Sequence, residues 1–318
     1  MDLQTQLPVV KAPNPISYQS KVLLLGSCFA THIAAKLAYY KFRSTVNPFG
    51  IIYHPQAISN LISRASEEKE FRREELFCHQ ELWHCFDVHS EMSKSDPDVL
   101  LSGLNSELKN LKELLHNATH LVITLGTAWG YTRKDNGMRV ANCYKVARKE
   151  FNKVLSSPSN IQKDLIAIRA ALYKINPEIS IILTVSPVRH LKDGFVENQR
   201  SKAHLLCAVH ELIDEFSSQA PFYFPSYELM MDELRDYRFY EADMVHPNSL
   251  AVDYIWEKFT SGCIDQKALT TMRSVEEIQK GLDHRPFNPD ARAYKDFRVG
   301  LKAKIEALSL EYPFMDFG

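Results

Sequence analysis

The sequence predicts an α/β protein built on an open parallel sheet. Two observations carry this. Short, unbroken apolar runs alternate with longer amphipathic stretches, and each run ends at a glycine or a proline-containing turn. Runs that are continuous rather than alternating are the pattern of strands buried on both faces, and strand–helix alternation builds parallel sheets. In chain order, residues 22–25 form the first aliphatic run, closed by Gly26. A helix is expected over 29–40. A weaker strand over 42–46 ends at Asn47-Pro48-Phe49-Gly50, and a third run over 121–125 ends at Gly126. Ser157-Pro158-Ser159 opens a helix over 160–175, which Asn176-Pro177 stops. The run 179–185 leads into Ser186-Pro187, a long helix is expected over 195–216, and a short aromatic strand over 221–224. His246-Pro247-Asn248 precedes a helix over 249–259, with proline near the first turn. Beyond Gly262, stretches 272–282 and 293–308 read as helices separated by His284-Arg285-Pro286-Phe287-Asn288-Pro289. The expected organisation is one α/β domain over 1–262 and a C-terminal helical extension over 263–318 packed on it.

Composition narrows the classes of function. The 318 residues carry 38 Lys+Arg against 39 Asp+Glu, so bulk electrostatic binding to nucleic acid or an anionic membrane is not expected. With 45% hydrophobic and 24% charged residues the chain is neither disordered nor fibrous. Six scattered cysteines fit a reducing compartment. Residues 1–8 show no basic or apolar leader pattern, and no apolar segment approaches the roughly 20 residues of a membrane span. The expectation is a soluble cytoplasmic protein. The charge-rich stretch 64–75 reads as a solvated helix face.

Ligands of open α/β sheets bind outside the carboxyl ends of the strands, so strand ends are where chemistry is sought. Gly26-Ser27-Cys28-Phe29-Ala30 spans the first strand-to-helix junction. A serine there sits among unpaired N–H groups at the positive end of a helix dipole, where a developing oxyanion is stabilised. Ser27 is therefore a candidate nucleophile, with helix capping as its structural alternative. Cys28 is a second candidate, because a helix N-terminus lowers a thiol pKa. Late in the chain, Asp243-Met244-Val245-His246 spaces a carboxylate to reach the near nitrogen of an imidazole. That fixes the tautomer and leaves the far nitrogen free to take a hydroxyl proton. Nucleophile, base and orienting group are thus all available.

On Gly26-Ser27-Cys28-Phe29-Ala30, Asn47-Pro48-Phe49-Gly50, Ser186-Pro187-Val188 and the Asp-x-x-His-Pro block, the chain resembles the GSCFA family, within the SGNH (GDSL-like) hydrolase superfamily. The resemblance implies a flavodoxin-like three-layer α/β/α sandwich with a five-stranded parallel sheet. It also implies an esterase-like activity in which Ser27 attacks, His246 acts as base and then acid, and Asp243 orients the imidazole. Ser27 and Gly50 would offer backbone N–H groups to the oxyanion. The asparagine that supplies the superfamily's third oxyanion donor is missing: the stretch reads Gly126-Thr127-Ala128-Trp129, with Ala128 at that position. Thr127, Asn47 and Asn142 are the candidate replacements.

Other polar positions extend the expected site. Arg189 and His190 follow a strand end, and Asn198, Arg200 and Lys202 open the next helix, an unusual place for cations. Together they suggest a subsite for an anionic substrate group. Trp129 and Tyr131 are candidates to line a sugar or acyl pocket. Cys78, His79, His84, Cys85 and His89 cluster, but without the paired spacing of a four-ligand zinc site. Trp83, Phe86 and His89 are alternatively a flap over the site. No glycine-rich nucleotide motif is present. Neither metal nor cofactor is expected. The expected function is a serine ester hydrolase removing an acyl group, such as O-acetyl, from a small molecule or carbohydrate. The alternatives are an acyltransferase using the same triad on a sugar acceptor, and a non-catalytic binding module.

Overall fold

The computed structural model describes residues 5–216 and 220–318. The first four residues of the N-terminal stretch scanned for a leader lie outside them. The expected α/β class and five-stranded, all-parallel sheet are present, flanked by helices. In chain order the elements are β1 (Lys21–Gly26), α1 (Cys28–Tyr39), β2 (Arg43–Val46), α2 (Pro55–Ser66), β3 (Leu76–His79), β4 (Leu82–Cys85), α3 (Pro97–Asn117) and β5 (His120–Leu125). Then come β6 (Trp129–Arg133), β7 (Arg139–Val140), β8 (Phe151–Leu155), α4 (Pro158–Ile175), β9 (Ser180–Val185), α5 (Phe195–Glu215) and β10 (Phe222–Tyr223). A single turn α6 (Ser226–Glu228), α7 (Ser249–Cys263), α8 (Ala268–Asp283) and α9 (Arg292–Glu311) complete the chain.

The central sheet runs β2-β1-β5-β9-β10. Strand order reverses direction between β1 and β5, so a crevice opens at their carboxyl ends. Gly26, Leu125 and Val185 end three neighbouring strands at that edge, in the register Gly26↔Thr124 and Leu125↔Val185. Everything that follows these three residues is delivered to one place.

Two cores clothe the sheet. On one face α2, α3, α4 and α5 cover Leu23, Leu121, Ile123 and Leu183. α3 shows how its sequence builds this layer. Asp96 caps the helix by accepting from Asp98 and Val99 N–H, Pro97 takes the first position, and Leu100, Leu104, Leu108, Leu111 and Leu115 fall on one buried face. Each buried leucine is worth about 1.5–3 kcal/mol. On the other face α1 and α7 pack over Val22, Leu24 and Val122. Met272, Val275 and Ile278 of α8 and Leu301 and Leu308 of α9 join that same cluster. Among the described residues no helix is long and apolar enough to cross a membrane.

Outside the main sheet, β3 and β4 form a hairpin, and β7-β6-β8 form a small antiparallel sheet directly after β5. The charged stretch 64–75 differs from the expected solvated helix face. α2 ends at Ser66, and the Arg64 guanidinium is turned inward, 4.1 Å over the Phe71 ring and paired with Glu75 and Asp87. The apolar body of an arginine side chain makes this burial possible.

Candidate active site

A cleft of about 540 Å³ opens at the carboxyl edge of the sheet. Ser27, Cys28, Thr127, Asp243 and His246 line it together with Tyr53, Trp129, Tyr131, Val188, Arg189, His190 and Asp193. The crevice predicted from strand order thus gathers residues from five separate parts of the sequence.

Ser27 caps α1. Its backbone is extended, and its Oγ accepts from Phe29 N–H at 3.3 Å. The hydroxyl itself donates to Ser186 Oγ, 3.0 Å away at the end of β9. Among the described residues, no hydrogen bond joins Ser27 to His246. Gly26 makes the junction possible with φ of +135° and by packing directly on Thr124. Its N–H is held by Asn47 Oδ1 at 2.8 Å.

The Asp-x-x-His segment forms a compact loop. Asp243 Oδ1 accepts from Val245 and His246 N–H at 2.8 and 3.0 Å, and Oδ2 lies 2.6 Å from His246 Nδ1. These hydrogen bonds hold the Asp243 carboxyl down at about 2, so it is ionised at any working pH. The imidazole is thereby oriented, with Nε2 as its remaining nitrogen. Arg189 tethers the loop: its guanidinium donates to Met244 O, its N–H donates to Val245 O at 3.1 Å, and it lies 4.4 Å over the Tyr240 ring. The tether falls on Met244, which adopts a left-handed φ of +58°.

The expected oxyanion donors are distributed differently. Ser27 N–H donates to Thr124 O at 3.1 Å, completing the β1–β5 ladder. Gly50 N–H closes a tight turn onto Asn47 O at 2.8 Å, and Gly50 packs against His89 outside the cleft. Asn47 serves the Gly26 junction, and Asn142 Oδ1 caps its own turn by accepting from Tyr144 N–H. Ala128 is fully buried in the core behind the cleft. Thr127 remains. Its Oγ1 lies 2.8 Å from Ser201 Oγ and accepts from Trp129 N–H at 3.1 Å, while Ser201 Oγ accepts from Ala128 N–H at 2.7 Å. With Ser201 donating to Thr127, the Thr127 hydroxyl keeps a proton to offer to the cleft it lines.

The expected cationic subsite is corrected in part: Arg189 and His190 line the cleft, and Lys202 and Arg200 do not. Lys202, in α5, lies beneath the cleft and does not line it. Its Nζ donates to Gly126 O at 2.8 Å and Ser186 O at 2.7 Å, joining the ends of β5 and β9. Burial pulls its pKa down to about 7. Burial, with Lys202 and His246 nearby, also holds the His190 imidazole down at about 3, so it is neutral. The His190 backbone N–H donates to Asn198 Oδ1, its ring packs on Tyr53, and Arg200 is exposed. Arg189 and Lys192 both line the cleft, Arg189 with its guanidinium held by Met244 O, so the positive charge at the cleft comes from these two and not from His190 or Lys202.

Removing the Lys202 ammonium is expected to leave two buried carbonyls unpaired, at about 1–3 kcal/mol each. Lys202→Met should therefore lose about 2–4 kcal/mol in urea unfolding near pH 10, where the stability contributed by this group is still present. The pH dependence has a definite sign. The folded pKa lies below the ordinary 10.5, so the unfolded chain binds more protons between the two values. Stability from this group is complete above about 10 and is lost as pH falls toward 7. The neutral amine still has two N–H groups for its two carbonyls. Lys202→Met should abolish this slope.

Trp129 and Tyr131 line one wall, as β6 leaves the end of β5. Trp129 Nε1 donates to Glu197 O, and Lys153 lies 4.5 Å over its ring while pairing with Asp193 at 2.5 Å. Tyr53 and Asp193 are lining residues that sequence reading missed; neither stands in a motif. Cys28 also lines the cleft, and burial raises its thiol pKa despite N–H groups of the helix start. That disfavours the thiolate a cysteine nucleophile needs. Trp83, Phe86 and His89 do not line the cleft, so they form no flap over it. His84 is bonded to Ser93 Oγ and His79 O, and among the described residues no group of three or more His, Cys, Asp or Glu is placed to hold a metal.

A comparison with curated proteins found no match. Family models match almost end to end: the GSCFA family over residues 21–259, and the GSCFA domain protein, C-terminal domain, over residues 275–318. The first contains the Ser27 junction, all five strands of the central sheet and the Asp243–His246 loop, and on that match the chain belongs to the GSCFA family.

Proposed function

We propose that the protein is a serine ester hydrolase of the SGNH type. The observation that carries this reading is the 2.6 Å Asp243–His246 pair sharing one cleft with a serine at a helix start. In the first step Ser27 Oγ bonds to the acyl carbon as its proton passes to His246 Nε2. The ester C–O bond then breaks, and His246 returns the proton to the leaving alcohol. Water repeats the sequence: His246 takes its proton, the acyl carbon leaves Ser27 as a free acid, and the serine is reprotonated. Asp243 stays ionised throughout and stabilises the imidazolium. Thr127 supports the oxyanion through its spare hydroxyl proton.

Tyr53, Trp129 and Tyr131 offer aromatic surface and Asp193 an acceptor at the rim, which suits an acylated carbohydrate. An O-acetyl or other short acyl group is the proposed leaving acyl.

The test is labelling by an alkyl fluorophosphonate, read by intact-mass spectrometry. The wild-type chain is expected to take up one phosphonyl group, and Ser27→Ala none. An unlabelled wild type would make the protein a binding module. Labelling that persists in Ser27→Ala would reject the nucleophile assignment. With a short nitrophenyl ester and a sugar present, acyl groups ending on the sugar rather than on water would make it a transferase.

A further inference from the structure

Two serines meet at the floor of the cleft, one from the end of β1 and one from the end of β9. Ser186 is fully buried. Its Oγ accepts from Ser27 Oγ at 3.0 Å and from Val188 N–H at 3.3 Å. Among the described residues it donates to nothing. A hydroxyl has one proton and two acceptor sites. Both acceptor sites of Ser186 are filled, and its proton is unspent.

The Ser27 hydroxyl is in the opposite condition. It accepts from Phe29 N–H and donates to Ser186, so its proton points toward β9 rather than His246. For His246 to take that proton, the donation to Ser186 must break. If nothing replaced it, the Ser27 oxygen would gain charge with only the weak 3.3 Å contact from Phe29 N–H. Ser186 can reverse the bond by donating its unspent proton to the oxygen that has released its own.

We propose that Ser186 is a positioning residue with two states. At rest it accepts the Ser27 proton and holds the nucleophile as a helix cap. In the reaction it donates to Ser27 Oγ and stabilises its developing charge. Lys202 supports both states from below, because its Nζ fixes Ser186 O and Gly126 O and so sets the spacing of the two strand ends. This inference rests on the assignment of Ser27 as nucleophile.

The experiment uses the full chain and an alkyl fluorophosphonate, with inactivation split into a maximal rate and a half-saturation concentration. In that reaction a bond forms between Ser27 Oγ and phosphorus, the P–F bond breaks, fluoride leaves, and the serine proton passes to His246. Ser186→Ala and the near-isosteric Ser186→Cys both remove the hydroxyl donor. A hydrogen bond to a charged partner is worth about 1.5–3 kcal/mol, so both variants should lower the maximal rate about 10–100-fold. Half-saturation should stay within about threefold of wild type, since the lost contact forms only as charge develops. A merely structural serine would change the melting temperature and leave the maximal rate intact in whichever variant folds. Inactivation at the wild-type maximal rate in a folded Ser186→Ala or Ser186→Cys chain overturns the proposal and leaves the Ser27 assignment standing. A wild type that is never labelled overturns both.

Discussion

Gly26→Ala is expected to yield a chain that does not fold stably. A Cβ at this position would lie 2.2 Å from Thr124 O and within 3 Å of Thr124 C and N. All three atoms are backbone of β5, the strand paired directly with Gly26, so no side-chain rotation relieves the clash. The φ of +135° adds a conformation that side chains rarely adopt. Relief requires prising β1 from β5 at the centre of the sheet, which also strains the Gly26 N–H bond to Asn47. The cost should exceed about 4 kcal/mol, a large share of the 5–15 kcal/mol by which domains are stable. Soluble yield and thermal melting check this. The control is Gly103→Ala, in the interior of α3 with nothing within 4 Å of the added methyl. That change should stabilise by about 0.5–1 kcal/mol. If Gly26→Ala melts with Gly103→Ala, the close approach of β1 and β5 at this point is wrong.

The same residue shows what the sequence makes legible. A glycine after Leu23-Leu24-Leu25, before a helix, reads directly as a strand end, and parallel-sheet logic then locates the crevice. The central strands were readable because burial on both faces leaves them unbroken apolar runs. β6 and β8 were not, because they are only partly buried and their residues are mixed. The β3–β4 hairpin is hidden for the same reason. α3 is a different case: its five core leucines recur at helical spacing, so the sequence itself carries the signal for this helix. Ser27, Asp243 and His246 are legible as cleft residues because a strand end and a local spacing place them there. The donors failed where the partner is remote. Nothing near Ser27 says that its N–H is spent on Thr124, about a hundred residues away. Nor does the start of α5 reveal that Lys202 points inward. A lysine there reads as a surface cation until the carbonyls of Gly126 and Ser186 are seen to converge on it.

Asp243→Asn tests the catalytic reading most sharply, because it alters one proton and little else. The asparagine Oδ1 can retain the acceptor bonds from Val245 and His246 N–H that shape the loop. Its other atom becomes an NH2 facing His246 Nδ1, where the structure now places a carboxylate oxygen at 2.6 Å. A donor there forces Nδ1 to accept, and the single proton of neutral imidazole moves to Nε2. That nitrogen can then no longer take the Ser27 proton. In a serine–histidine–aspartate triad this substitution lowers kcat about 10⁴-fold, and a loss of about that size is expected here in nitrophenyl-ester hydrolysis. The side chains of Asp243 and His246 are about half exposed, so the melting temperature should stay within about 3 °C of wild type. The Asp243 pKa of about 2 adds a second expectation. The carboxylate is fully formed across the working range, so Asp243 itself should add no inflection to the wild-type pH profile between about 5 and about 8. His246→Ala should show a comparable deficit, and the double variant little more than either single change, since both remove one base. An Asp243→Asn chain that keeps more than about a tenth of wild-type activity would mean that His246 does not work through Asp243.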